Sequence, residues 1–262
     1  MIKLFDILKE IYLLEGIIKV PQEVLSKSKE AFDYINSNLN NLKSKSKGKN
    51  YKNPYIDSKF KNFFKLKDLK NQDLNVTIGF YNDPEDLGAG RMDTEKDILL
   101  INLPFFVGED YDDFEDTVEH ELVHAMDPKV RDIQLFGKLY SKKGVEPIND
   151  KTMEKYLKSP WEFDAFTAPL INKIVNNIKK SPSYKDVLIK LLSDIKSKDI
   201  DTILSSPEYD QMPYFFTKKE WKVENWDYIL NEFKNELYKI KAWASKPTLY
   251  KRFTSRLGKE LI

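Results

Sequence analysis

The chain contains no cysteine. Disulfides, iron–sulfur clusters and thiol nucleophiles are therefore excluded, and any zinc site has to be built from histidine and carboxylate ligands. Histidine is itself scarce, with two residues in 262. Glycine is scarce too, at 9 residues, which favours helices joined by short connections. Neither sign of charge dominates, since 43 Lys and Arg face 42 Asp and Glu for a formal net charge of +1. No general attraction to nucleic acid or to a membrane surface follows from that balance. Long apolar runs are missing as well, and no stretch has the length and apolarity to span a bilayer. What is present, 41% apolar and 32% charged residues, is the composition of a soluble globular protein with enough chain for a sizeable core.

The first twenty residues, MIKLFDILKEIYLLEGIIKV, come nearest to a targeting segment. Asp6, Lys9, Glu10 and Glu15 interrupt every candidate signal-peptide core, and no small-residue cleavage site follows. Leu4, Ile7, Leu8, Ile11, Leu14 and Ile18 instead recur at helical spacing. They predict an amphipathic helix that packs on the body or on a partner. A cytoplasmic or virion-associated chain, with no signal peptide or transmembrane segment, is the expectation.

Residues 2–42 read as two helices, the second opened by Pro21. The lysine-rich tract Lys43 to Lys52 reads as a solvated loop rather than a nucleic-acid contact. Asn75 to Tyr81 (NVTIGFY) has the β-branched and aromatic content of a strand. NDPEDLGAG supplies turn chemistry, and Asp97 to Leu103 (DILLINL) reads as a second strand ended by Pro104. Tyr111 to Met126 reads as a helix stopped by Asp127-Pro128. A further helix is predicted from Ser159-Pro160, with a kink near Pro169, and more helices follow in DVLIKLLSDI and EWKVENWDYILNEFKNELYKIKAWA. The order of helices, small sheet, helix and more helices predicts an α+β fold.

The helix from Tyr111 carries both histidines, in the sequence HELVH. His120 and His124, four residues apart, project from one side of a helix, one turn above the other. That spacing allows two imidazole nitrogens to bind one tetrahedral Zn2+. Glu121 lies beside them, placed to take a proton from a zinc-activated water. Phe114, Val118, Leu122 and Ala125 form an apolar stripe that would hold the helix to the core, while Asp113, Thr117, His120 and His124 share an adjoining side. A catalytic zinc takes three protein ligands and leaves a position for water. With no other His and no Cys, the third ligand has to be a carboxylate. Glu162 in SPWEFDAF, in the first turn of a later helix, is the candidate, with Asp164 and Asp127 as rivals.

His120-Glu121-x-x-His124, followed by a Glu on a later helix, resembles the gluzincin group of zinc metallopeptidases. Glu162-Phe163-Asp164-Ala165 is similar to the Glu-x-x-Ala around the third ligand in small members of that group. The resemblance covers about residues 75–178. It implies His120, His124 and Glu162 as zinc ligands, Glu121 as general base, and a peptide or protein substrate. It also implies a strand bordering the cleft whose edge pairs with that substrate, for which DILLINL is the match. Three regions are then expected: an N-terminal helical region over 1–70, a zincin-like catalytic core over 71–180, and a C-terminal helical region over 181–262 packed on the core. The later histidine that steadies the oxyanion in gluzincins of the thermolysin kind has no counterpart; Tyr140, Tyr156 and Arg131 are candidates for that task. A metzincin pattern fails because Val130 occupies the place of its third ligand. The Lys-, Asn- and Ile-rich composition and the two leading helices resemble phage-encoded HExxH proteins.

The resulting expectation is a zinc metallopeptidase. The alternative is a virion or complex component that keeps a zincin fold, with zinc as a staple or absent, and offers its flanking helices as assembly surfaces.

Overall fold

The computed structural model describes residues 18–86, 89–106, 111–127, 154, 156–219 and 222–261. The fold is α+β, with a small four-stranded sheet placed before most of the helices in sequence. The chain divides into two compact units, Met1–Lys143 and Gly144–Ile262. The helix expected over Leu4 to Ile18 lies outside the described residues except for Ile18 itself, which is buried and not helical. Among the described residues no helix is long and apolar enough to cross a membrane.

In the first unit, α1 (Gln22–Lys45) starts directly after Pro21, whose fixed φ suits a helix entrance. Val24, Leu25, Ser28, Ala31, Phe32, Ile35 and Leu42 are its buried residues, at helical spacing. The helix runs through Lys43 and Lys45, so the lysine-rich tract begins inside α1 rather than after it. The strands are β1 (Phe64–Lys67), β2 (Asp73–Tyr81), β3 (Gly90–Asp93) and β4 (Ile98–Asn102), in the spatial order β1-β2-β4-β3. β2 pairs antiparallel with β1 through Asp73–Val76 and parallel with β4 through Thr77–Tyr81.

The burial pattern of β2 changes where its partner changes. Leu74 and Val76 alternate with exposed Asp73 and Asn75 beside β1, whereas Ile78 to Tyr81 are continuously buried beside β4. Every residue of β4 is buried, as befits a central strand with a parallel neighbour. The chain then passes into the short helix α2 (Leu103–Phe106). Helix α3 (Tyr111–Met126) follows, and Phe32 of α1 packs its ring 5.4–5.7 Å from those of Phe106, Tyr111 and Phe114.

The connection into β3 is pinned by a buried polar residue. Asn102, at the end of β4, donates from Nδ2 to the carbonyls of Asp83 (2.8 Å) and Asp86 (2.9 Å) and accepts from the Asp83 amide (3.2 Å). Tyr81 donates to the Asp86 carboxylate at 3.1 Å, and Arg91 of β3 reaches the same carboxylate at 3.2 Å. Burial, reinforced by the charge of Asp86, pushes the Tyr81 hydroxyl well above the ordinary phenol range and keeps it a donor.

The second unit is built on α4 (Pro160–Lys180), α5 (Lys185–Asp194), α6 (Ile200–Leu204), α7 (Trp226–Ala244) and α8 (Pro247–Glu260). Pro160 takes the first helical position after Ser159, and Pro169 lies inside α4 without ending it. Phe163, Trp243 and Phe253 form an aromatic row with successive centroids 5.3 Å apart. The Trp243 indole N–H donates to the Leu157 carbonyl at 2.9 Å, so its burial leaves no unpaired donor. Asn177 of α4 donates to the carbonyls of Tyr214 (3.2 Å) and Thr217 (2.8 Å), tying the intervening short helical turns to α4.

Candidate metal centre

Helix α3 has the predicted bounds, and the apolar stripe of Phe114, Val118, Leu122 and Ala125 is buried. Asp112 and Asp113 in its first turn complement the positive end of the helix dipole. At its other end the Met126 carbonyl, one of those left without an intrahelical donor, accepts from the Leu69 amide at 3.2 Å. Leu69 lies in the turn between β1 and β2. That turn is fixed by Asp68, whose carboxylate accepts from the amides of Lys70 and Gln72 at 2.8 Å each. The helix is thus held along its length by the sheet side and at its end by a hairpin.

His124 is buried and His120 half-buried. Their Nε2 atoms are 3.2 Å apart, with ring centroids 4.8 Å apart and planes at 85°. Two nitrogens on a tetrahedral zinc at 2.0–2.1 Å stand about 3.3–3.4 Å apart. The observed spacing is thus nearly that of a metal-bridged pair. The same separation lies at the upper end of the range for an N–H···N hydrogen bond between the rings.

One ligand atom from each of His120, His124 and Glu162 lies within 4.8 Å of the others, the one such group of metal-ligating side chains among the described residues. Two nitrogens and a carboxylate oxygen are the donor set that zinc accepts when cysteine is absent. Glu162 is buried in the first turn of α4.

The rival carboxylates are outside this group. Asp164 is buried and engaged by two arginines, with Arg256 Nη1 at 2.6 Å and Arg252 Nη2 at 3.1 Å from its Oδ1. Asp127 is buried at the residue following α3. Of the three side chains proposed to steady an oxyanion, Tyr140 and Arg131 lie outside the described residues. Tyr156 is half-buried, with its ring 5.9 Å from that of Phe166.

The sheet corrects one expectation. DILLINL contributes β4, which has β2 on one side and β3 on the other, so its hydrogen-bonding edges are filled and it cannot receive a substrate strand. Among the described residues the sheet-edge strand beside the motif helix is β3, which begins at Gly90, the last residue of the segment read as turn chemistry, and continues through Arg91 to Asp93. Its approach to α3 is close. A Cβ added at Gly90 would lie 2.7 Å from Thr117 Cγ2 and 3.7 Å from Glu121 Cγ. Glycine is therefore required by packing, and Glu121 stands next to the edge strand. Gly90→Ala is expected to cost about 1–3 kcal/mol by overpacking. Adding Thr117→Ser, which removes the opposing methyl, should restore most of that loss. Urea denaturation of the single and double variants measures both, and an unchanged midpoint for Gly90→Ala would refute the contact.

No protein-family model, curated protein or solved structure matches the chain.

Proposed function

We propose that the protein is a zinc-dependent metallopeptidase, with His120, His124 and Glu162 as ligands and Glu121 as general base. The observation that carries the reading is the convergence of these three ligand atoms on one side of the helix that bears Glu121. Zinc, when bound, supplies Lewis acidity that polarises a carbonyl and lowers the pKa of water to about 7.

The chain's own residues supply the rest. Glu121 takes a proton from the attacking water as oxygen adds to the scissile carbonyl carbon. It then delivers that proton to the amine as the C–N bond breaks, so the carboxylate is regenerated. An extended substrate peptide pairs with the outer edge of β3, next to Glu121. The other edge strand, β1, points Lys65 and Lys67 to solvent, a pattern that discourages strand addition.

Incubating the zinc-loaded protein with a mixed peptide library tests the reading. Cleavage that stops on chelation and returns with added zinc is the expected result. An intact library after incubation with protein of verified zinc content would overturn the peptidase assignment.

A further inference from the structure

We propose that Arg256 and Arg252 of α8 are positioning residues that hold Glu162 in place for the metal. The proposal rests on the zinc reading above and adds to it the element that orients the third ligand.

The first turn of α4 lacks the usual local anchor. Ser159 occupies the N-cap position, but its side chain makes no capping hydrogen bond. A helix start without a capping side chain frays more readily, and a ligand in that turn would move with it. Glu162 is in that turn.

The anchor comes from 92 residues away in sequence. Asp164, two residues beyond Glu162, receives Arg256 Nη1 at 2.6 Å and Arg252 Nη2 at 3.1 Å on the same Oδ1 atom. Arg256 Nη1 also lies 3.4 Å from Thr167 Oγ1, one turn further along α4. The two guanidinium groups lie over the Phe163 ring, with Cζ 5.0 Å (Arg252) and 5.6 Å (Arg256) from its centroid. Asp164, Thr167 and Phe163 are all buried, as is Arg256. Both residues that follow Glu162 are thus gripped by α8, one by charge-assisted hydrogen bonds and the other by stacking. Guanidinium groups suit this double task because they are flat, multidentate and permanently charged.

Partners that orient a metal ligand characteristically change metal affinity by about 10–100-fold when removed. The experiment is a zinc-affinity measurement by competition with a chromophoric chelator, on the full chain, for wild type, Arg256→Met, Arg256→Lys and Tyr250→Phe. Tyr250 is also on α8 and donates to the Leu192 carbonyl, so Tyr250→Phe loosens the same helix without touching Asp164. Arg256→Met is expected to weaken zinc binding by about 10–100-fold. Arg256→Lys, which keeps the charge but loses the fork, should fall in between, and Tyr250→Phe should stay within about twofold of wild type. The lysine variant keeps the test decisive should Arg256→Met fail to fold. Wild-type affinity in a folded Arg256→Met or, should that variant not fold, in Arg256→Lys overturns the proposal, as does an equal loss in Tyr250→Phe. A wild-type protein that binds no zinc would overturn the metal centre itself, an outcome distinct from either.

Discussion

Glu121→Gln is expected to lower the turnover of a cleaved peptide by roughly 10²–10⁴-fold, the contribution of a positioned general base, while zinc content stays at the wild-type level. The substitution keeps the shape of the side chain, including the Cγ that stands near Gly90 of β3, so packing between α3 and the edge strand is preserved. What the proposed mechanism loses is the carboxylate's ability to accept a proton from water and return it to the leaving amine. The proposed ligands His120, His124 and Glu162 are unchanged in this variant. The measurement is kcat/KM on a peptide identified from the library, paired with zinc determination by mass spectrometry on the same preparation. Turnover within about threefold of wild type would remove Glu121 as base. Loss of zinc together with turnover would mean that its role is to hold the site rather than to move protons.

The motif helix was readable because its signals agree at several levels. Phe114, Val118, Leu122 and Ala125 repeat at helical spacing, and Asp127-Pro128 forbids continuation, so both its buried face and its end follow from local rules. β2 and β4 were readable from their β-branched and aromatic content. β3 was not. Gly90-Arg91-Met92-Asp93 has no strand-forming residue, and it is extended because it pairs with β4 from Ile98 to Ile101. Its backbone partners decide what its own side chains do not. The central place of β4 is hidden for the same reason, since whether a strand has one neighbour or two is a property of the sheet. β1 escaped notice by brevity, although Phe64 and Leu66 alternate with Lys65 and Lys67.

Helix α8 shows a different limit. Its buried face is Leu249, Tyr250, Phe253, Arg256 and Leu257, and an arginine in that stripe reads as a break in the apolar pattern. Arg256 is buried because Asp164 neutralises it. Nothing local to either residue announces the pairing. The HELVH spacing placed His120 and His124 on one side of a helix. The 3.2 Å between their Nε2 atoms is a matter of rotamers and was not legible in the chain.

That distance leads to the second large effect. Wild-type protein purified without chelator or histidine tag is expected to carry about one zinc per chain, and His124→Ala is expected to carry almost none. With two nitrogens poised at nearly the separation of a metal-bridged pair, the two histidine rings are set before an ion arrives, and little ordering of those rings remains to be done on binding. Removing His124 leaves His120 and a carboxylate, fewer protein ligands than a catalytic zinc uses. The same contrast should appear in stability. Free zinc at about 100 times Kd stabilises the folded protein by about 2.7 kcal/mol, a shift in Tm of roughly 5–10 °C for a chain of this size. His124→Ala should show no shift. Because His124 is buried, the alanine variant has to be shown folded by its own melting transition before its zinc content is read. Zinc retained by folded His124→Ala would place the metal elsewhere on the chain. Zinc absent from wild type even after it is added back would leave the 3.2 Å contact as a hydrogen bond between two rings, and the protein as one that keeps the geometry of a metal site without the metal.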